Sequence, residues 1–291
     1  MEITQAFLSE VQAQFDFCHL YGITQDPSTL EYLFIMRFAP QGDLRRYLLR
    51  NFDNLSLSNK LGIAQTICAE LKKIHAKGWV HGDLHSGNIL LLNEENAFIS
   101  DFGLCRPIDE VESEEKLYGV IPNVAPEMFY GKPRSQEGDI YSLGVILWEL
   151  MCGIIAFADR PHNESLVLDI VFNGLRPQTC HFAPPVYNDL LKRCWDQDSS
   201  KRPSIYEVTD FIEKLCGFRI RDKKQNFGDT HLFKSRTGLE RPLCQQLVNS
   251  HNAGCIYNLM KWKPNKPTHP EAVYTSRLLS YKEYLLSRSK E

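Results

Sequence analysis

The chain has 291 residues, 43% of them hydrophobic, and a formal net charge of −3, as expected of a soluble globular protein with one large domain or two lobes. No segment approaches the apolar run that a membrane helix requires, and the mixed charged and apolar N-terminus differs from a secretory signal. Nine scattered cysteines without a C-x-x-C pair argue against a disulfide framework or a zinc site and indicate a reducing compartment. We therefore expect a cytoplasmic protein with no membrane and no nucleic-acid partner.

Charge is distributed unevenly along the chain. Residues 1–216 hold 19 Lys and Arg against 30 Asp and Glu, a formal −11, whereas residues 217–291 hold 14 against 6, a formal +8. An acidic body with a basic tail predicts a boundary near Gly217. The favoured interpretation of the tail is a solvated, partly disordered extension. The alternative is an arm that binds an acidic surface, such as the body itself.

Residues 1–39 are predicted to form one helix and one hairpin. Apolar side chains at near-helical spacing predict the helix over residues 2–15. The apolar runs "HLYGITQD" and "EYLFIMRF" are separated by "PST", which indicates two strands joined by a turn. The polar link "APQGDLRRYLLR" then leads into a short helix.

Residues 40–216 are predicted to be mainly helical. An amphipathic helix is expected over residues 57–77, followed by short strands over Ile89–Leu92 and Phe98–Ser100. Residues 139–152 are apolar nearly all round, which predicts a helix in the centre of a core. The other helices are predicted over residues 164–173, 185–195 and 204–216. The expected fold class is α+β, with a small helix-plus-hairpin piece, a larger helical piece and a ligand site at their junction.

The stretch "HGDLHSGNILLLNEENAFISDFG" at residues 81–103 carries the chemistry. Asp83, Asn88 and Asp101 bear oxygen atoms on loops beside the short strands. Magnesium takes few protein oxygens and completes its shell with water and substrate phosphates. A further carboxylate, kept off the metal, can accept the proton of a hydroxyl group. This division of labour suits phosphoryl transfer, although any one of these Asp residues alone is more typical of a cap or a turn.

The same stretch resembles the catalytic loop H-R-D-x-x-x-x-N and the D-F-G motif of eukaryotic protein kinases. The segment "VAPE" at 124–127 resembles the A-P-E motif, and "DIYSLGVILWEL", which begins at Asp139, resembles a central helix of the large lobe. In "RCWDQDSSKRPS" the resemblance pairs Arg202 with Glu127. These late motifs are similar to the tyrosine-kinase-like branch. The resemblance implies a two-lobed kinase fold with a truncated small lobe at 1–39 and a complete helical lobe at 40–216.

The resemblance also implies roles for single residues. Asp83 would be the catalytic base, while Asn88 and Asp101 would hold Mg²⁺. The adenine of ATP would contact the side chain of Leu90, the gatekeeper Met36 and the hinge residues Arg37, Phe38 and Ala39. The expected cofactors are ATP and Mg²⁺. The expected reaction is transfer of the γ-phosphoryl group to a hydroxyl of a protein substrate, Ser or Thr rather than Tyr.

Two elements of the kinase pattern are absent from the sequence. No glycine-rich loop precedes the hinge, since the first glycine is Gly22, and no strand lysine precedes it either, since the first lysine is Lys60. Glu10, which falls where that lysine's partner belongs, is expected to lack a cation. The absence of both elements predicts weak binding of Mg–ATP. It also leaves open the alternative of a non-catalytic pseudokinase that binds a partner protein. A small-molecule kinase of related fold is disfavoured by the A-P-E and late arginine motifs.

Other departures lie at the catalytic loop. Gly82 replaces an arginine that grips an activation-segment phosphate in many kinases, so activity is predicted not to depend on phosphorylation of Ser113 or Tyr118. His85 replaces a lysine that touches the γ-phosphate, and it is expected to be at most half-charged near neutral pH. Val120 replaces a threonine that contacts the catalytic aspartate.

Overall fold

The computed structural model describes residues 5–18, 20–110, 116–180, 183–222 and 268–288. Within them the predicted α+β architecture is confirmed, with a small helix-plus-hairpin piece followed by a mainly helical lobe. No described helix is both long enough and apolar enough to span a bilayer.

The small-lobe part consists of one helix and one hairpin, as predicted. Helix α1 covers Gln5–Phe17, and strands β1, Leu20–Gln25, and β2, Tyr32–Met36, pair antiparallel. The Asp26 carboxylate accepts the backbone N–H of Ser28 at 2.7 Å, and this contact closes the turn between the strands.

Six helices build the large lobe. They are α2, Leu44–Asn51; α3, Leu57–Ala76; α4, Gln136–Cys152; α5, Glu164–Val171; α6, Pro185–Cys194; and α7, Ile205–Asp222. Helix α4 starts three residues before the predicted bound because the Ser135 hydroxyl caps it through Gly138 N–H. Its residues from Gly138 to Cys152 are all buried, which confirms the predicted central helix. Helix α7 runs six residues past the boundary predicted at residue 216.

Short strand pairs hold the catalytic stretch. Strand β3, Trp79–Val80, pairs with β6, Arg106–Pro107, and β4, Ile89–Leu91, pairs with β5, Ala97–Ile99. The loop that carries Asp83 therefore leaves β3 and enters β4, and Asp101 follows directly after β5. The predicted strands of this stretch are confirmed within one residue at each end.

Residues 268–288, which we call the C-terminal segment, pack on the large lobe. Strand β8, Arg277–Leu278, pairs antiparallel with β7, Tyr118–Gly119, and helix α8 covers Lys282–Arg288. Its Leu279 and Leu285 are 4% and 0% exposed. For this part of the tail the prediction of a solvated extension is wrong. Residues 223–267 and 289–291 lie outside the described residues, as do Ser113 and its neighbours at 111–115.

Candidate functional site

Asp139 at the start of α4 fixes the backbone that leads into the catalytic loop. Its carboxylate is buried and accepts the N–H groups of His81 at 2.8 Å and Gly82 at 2.9 Å. The ring Nε2 of His75, on α3, lies 2.9 Å from the same carboxylate. Because α4 and α3 belong to the core, these contacts tie the residues just before Asp83 to the most rigid part of the lobe.

Asn88 joins Asp83 to the strand that ends at Asp101. Its side-chain Nδ2 donates to the carbonyl of Asp83 at 2.9 Å. Its own carbonyl accepts the N–H and the hydroxyl of Ser100 at 2.9 and 3.0 Å. With Nδ2 used as a donor, the amide oxygen Oδ1 remains as an acceptor that can bind a cation. The three predicted site residues are thus linked through their backbones.

Asp101 and Phe102 point in opposite directions. Phe102 is 1% exposed and packs against the rings of Phe17 on α1, at 6.0 Å, and His81, at 5.3 Å. Asp101 is exposed and has a left-handed backbone with φ 65°. Aspartate tolerates this region better than most residues, and such strain is common at functional sites. The reversal buries the ring and turns the carboxylate to solvent.

Three carboxylates influence one another in this cleft. Burial raises the pKa of Asp83, with Asp101 acting in the same direction and His81, Ser276 and Arg134 opposing it. Burial also raises the pKa of Glu10 on α1, and the charge of Asp101 adds to that rise. The charge of Asp101 therefore raises the pKa of both other carboxyl groups. Among the described residues no cation forms an ion pair with Glu10.

The donor set in this cleft fits Mg²⁺. The amide oxygen of Asn88 and the exposed carboxylate of Asp101 are oxygen ligands of the kind that Mg²⁺ prefers. Two protein oxygens leave most of the octahedral shell for water and phosphate. A divalent cation would also reduce the mutual repulsion of the carboxylates described above.

His85 is neutral, within the expected limit of a ring that is at most half-charged. Burial is the largest cause that lowers its pKa to about 3, and the charges of Arg45 and His81 add to the effect. The N–H of Gly87 lies 3.1 Å from Nδ1, so that nitrogen is the acceptor and the neutral ring carries its proton on Nε2. Nε2 lies 3.9 Å from Oδ2 of Asp83. His85 thus offers a donor near the predicted base but no positive charge.

An arginine from elsewhere in the chain covers Gly82. The φ of Gly82 is +80°, and a Cβ built there would lie 2.5 Å from Cδ of Arg134. Arg134 Nε donates to the Gly82 carbonyl at 3.3 Å, and Arg134 is buried. Glycine is therefore required at this position both by the backbone and by the packing. Val120, also buried, lies near the same loop and has no hydroxyl to offer Asp83.

Glu127 and Arg202 form a bidentate ion pair. The two guanidinium nitrogens lie 2.6 and 2.7 Å from the two carboxylate oxygens. Arg202 also donates to the carbonyls of Asp196 and Glu137 at 3.0 Å each, and its guanidinium lies over the ring of Tyr141 at 5.3 Å. The pair that the sequence suggested is present, and all polar contacts of this arginine lie inside the lobe.

The predicted adenine contacts lie along the end of the hairpin. Met36 ends β2 and is half-buried, and Phe38 is 82% exposed. The link after Arg37 and Ala39 is tied to the strand of Leu90, because Gln41 N–H donates to the carbonyl of Leu91 at 3.3 Å and Asp43 bridges Leu90. The structure brings the hinge link and the Leu90 strand together. Their roles toward adenine remain predictions.

Two residues near Asp83 were missed by the sequence reasoning. Ser276, in the C-terminal segment, is close enough to the Asp83 carboxylate for its hydroxyl to lower the pKa of that group. Arg45, on α2, lies 3.4 Å from Nδ1 of His85 and donates to the carbonyl of Tyr274. Ser276 follows Asp83 by 193 positions, so no local pattern in the sequence could have indicated the contact.

Comparison with known proteins agrees with this geometry. The protein tyrosine and serine/threonine kinase family matches residues 4–212. A probable LIM domain-containing serine/threonine-protein kinase of Dictyostelium discoideum is 30% identical over 69% of this chain and 30% of its own length. The serine/threonine/tyrosine-protein kinase HT1 of Arabidopsis thaliana is 30% identical over 63% of this chain and 47% of its own length. The serine/threonine-protein kinase STY46 of Arabidopsis thaliana is 28% identical over 70% and 34%. The chain thus spans less than half the length of these relatives.

Proposed function

We propose that this chain, which belongs to the family of protein tyrosine and serine/threonine kinases, transfers the γ-phosphoryl group of ATP to a hydroxyl of a protein substrate. The observation that supports this most is that buried hydrogen bonds of Asn88 link the backbone of Asp83 to Ser100, the neighbour of Asp101. Phosphoryl transfer depends mainly on positioning and charge neutralisation, and this arrangement positions a base beside the two residues that would hold the neutralising Mg²⁺.

Asp83 is the base of the proposed reaction. Its raised pKa favours acceptance of the substrate proton, and the nearby hydroxyl of Ser276 acts on the same carboxylate. Asn88 and Asp101 would hold Mg²⁺, which would neutralise charge on the phosphates when bound. His85 contributes a neutral donor close to Asp83.

The finer parts of the proposal concern the acceptor and the location. We infer that Ser or Thr is the acceptor because the similar proteins are described as serine/threonine kinases, one of them also as a tyrosine kinase. We infer a cytoplasmic location from the cysteines, because none of the seven among the described residues forms a disulfide. Met36, Arg37, Phe38, Ala39 and Leu90 would contact the adenine.

A second candidate function is that of a non-catalytic scaffold. One observation favours it, because Glu10 has no cation partner among the described residues and no described lysine reaches Asp101. In that case the helical lobe would bind a partner protein and the acidic cleft would have lost its reaction.

The test uses the full chain at millimolar ATP with Mg²⁺ and dephosphorylated casein as acceptor. Asp83→Asn is expected to lower transfer by about 10²–10⁴-fold, as for loss of a general base, while Mg–ATP still raises the melting temperature. Asp101→Asn is expected to abolish that Mg-dependent rise. Asp189→Asn, at an exposed site on α6, is the matched control and leaves both readouts unchanged.

Two results would contradict the proposal. If Asp83→Asn transfers phosphate as fast as the unaltered chain, Asp83 is not the base and the activity has another source. If ATP and Mg²⁺ cause neither transfer nor a rise in melting temperature, the scaffold function is the better account.

A further inference from the structure

The C-terminal segment follows the surface beside Asp83, beginning with a turn in which Ala272 N–H donates to the carbonyl of His269 at 2.9 Å. His269 N–H donates to the carbonyl of Ala158 at 2.7 Å, and His162 N–H donates to the carbonyl of Glu271 at 3.0 Å. Further along, Nδ1 of His162 lies 2.8 Å from the carbonyl of Val273. We call the surface formed by β7, Asp83 and His162 the substrate groove.

Tyr274 and Arg277 fix the segment on both sides of Ser276. The ring of Tyr274 lies against His162 at 4.7 Å and below the guanidinium of Arg45 at 5.2 Å. Arg277 donates to the carbonyl of His162 at 2.6 Å. Three of these contacts use backbone groups of the segment and three use side chains, and together they hold it in a defined register.

Strand pairing sets the position of Ser276. Arg277 pairs with Gly119 and Leu278 with Tyr118, and Leu279 N–H donates to the carbonyl of Leu117 at 2.7 Å. A Cβ built on Gly119 would lie 3.9 Å from Oδ1 of Asp83, so this strand pair runs directly beside the predicted base. Ser276, one residue before the paired strand, therefore lies beside Asp83, and its hydroxyl lowers the pKa of that carboxylate.

Apolar anchors hold the segment after the strand. Leu279, three residues beyond Ser276, is 4% exposed, and Leu285 on α8 is fully buried. Tyr281 lies 6.3 Å from the ring of Phe129. Leu278, whose side chain points the other way, is 48% exposed. Burial of these apolar side chains stabilises the packing of the segment on the lobe, and a solvated extension would lack this stabilisation.

We propose that residues 272–279 occupy the substrate groove as an intramolecular substrate, with the Ser276 hydroxyl as the phosphoacceptor. This inference rests on the proposed function. In the reaction, Oγ of Ser276 attacks the γ-phosphorus of ATP, and a new O–P bond forms as the bond to the β–γ bridging oxygen breaks. ADP leaves with that electron pair, and the proton of Ser276 passes to the Asp83 carboxylate. No other reactant is required.

The product differs from the bound hydroxyl in charge. Phosphoserine carries about −1.5 to −2 at neutral pH and would lie beside the Asp83 and Asp101 carboxylates. Repulsion between these groups releases the segment, so phosphorylation of Ser276 opens the groove for other proteins. Before that step the segment competes with every external substrate.

The first experiment follows phosphate on the full chain by mass spectrometry after incubation with Mg–ATP. We expect Ser276 to be modified at a rate per molecule that does not change when the chain is diluted, because the acceptor is in the same molecule. Ser276→Ala removes this site, and Ser280→Ala, at an exposed position four residues on, leaves it. If casein is phosphorylated and Ser276 is not, Ser276 is not the acceptor although the proposed function stands. If neither is phosphorylated, the proposed function fails and the role of Ser276 fails with it.

The second experiment tests occupation of the groove without reference to activity. Hydrogen exchange should show slow exchange of the Leu279 amide in the unaltered chain and fast exchange in Leu279→Asp. Leu278→Asp, which places the same charge at the exposed neighbouring position, should keep the slow exchange. A synthetic peptide of residues 268–288 should bind Leu279→Asp and not Leu278→Asp. Fast exchange of this amide in the unaltered chain would overturn the proposal whatever the activity.

Discussion

The catalytic loop is held by buried polar contacts, whereas the hairpin of β1 and β2 presents much of its apolar surface to solvent. Asp139 alone accepts two backbone N–H groups of the loop, and it is 2% exposed. On the hairpin, Leu33 and Ile35 are each nearly half exposed and Phe38 is almost fully exposed. The geometry of the loop is therefore fixed by buried polar groups whose removal would lower stability, while the hairpin is fixed mainly by its own strand pairing.

This difference separates two parts of the proposed chemistry. The residues that would hold the metal and accept the proton are kept in place by contacts with the core of the large lobe. The residues that would bind adenine depend on the hairpin and its link, where few side chains are buried. Substitutions at the two places should consequently change the free energy of unfolding by different amounts. One substitution, of a partly buried lysine on α3, should change it in the opposite direction.

The largest effect is expected from the ion pair behind the catalytic loop. Arg202→Ala leaves the Glu127 carboxylate inside the lobe without its partner, which costs about 3–5 kcal/mol of the free energy of unfolding. Urea denaturation measures the loss. The control is Arg193→Ala, which breaks an exposed pair with Glu207 and costs about 0–1 kcal/mol. If the two substitutions lower the free energy of unfolding equally, burial does not make the pair of Arg202 and Glu127 more stabilising than an exposed pair.

A good part of this arrangement could be predicted from the sequence. Helical periodicity indicated α3, and an apolar stretch indicated the buried helix α4. Motif spacing indicated that Asp83, Asn88 and Asp101 lie near one another, and their roles stay predictions. These features depend on residues close together in the chain or on a strongly constrained family pattern. The fold class followed from the same local signals.

Other features depend on burial and on contacts between distant residues. His85 is neutral because burial and the charges of Arg45 and His81 lower its pKa, whereas its residue type alone set only an upper limit on its charge. The glycine at position 82 is explained by Arg134, which lies 52 residues further on. Ser276 reaches Asp83 only because β8 pairs with β7, and a two-residue strand gives no periodic signal. Tertiary contacts of this kind cannot be read from composition or spacing.

A smaller effect of opposite sign is expected at Lys60 on α3. Its ammonium lies 3.6 Å from the centroid of Phe52 and 3.3 Å from the carbonyl of Met151, and burial lowers its pKa to about 8. The unfolded chain keeps its proton up to about pH 10.4, so burying the charged form lowers stability at pH 7. That cost disappears as the pH rises from about 8 to about 10.4, where the folded state loses the proton first.

Lys60→Met should therefore stabilise the chain at pH 7 by about 1–3 kcal/mol, the lower figure allowing for the lost contact with Phe52. The advantage should shrink as the pH approaches 10. Lys192→Met, on the surface of α6, is the control and should show no such pH dependence. A destabilised Lys60→Met at pH 7 would mean that this buried charge supports the lobe in the way that Arg202 does.

The smallest effect is expected on the hairpin, where it tests the other half of the comparison. Leu33→Ala removes a side chain that is 47% exposed, so the free energy of unfolding should change by no more than about 0.5 kcal/mol. Leu71→Ala, on α3, removes the same atoms from a fully buried site and should cost about 2–5 kcal/mol. Both are measured by urea denaturation of the full chain. If Leu33→Ala costs more than about 1 kcal/mol, the exposed face of the hairpin is covered in solution by residues outside the described ranges or by another molecule. The hairpin would then be held by packing on that covering group, and the contrast with the catalytic loop would no longer apply.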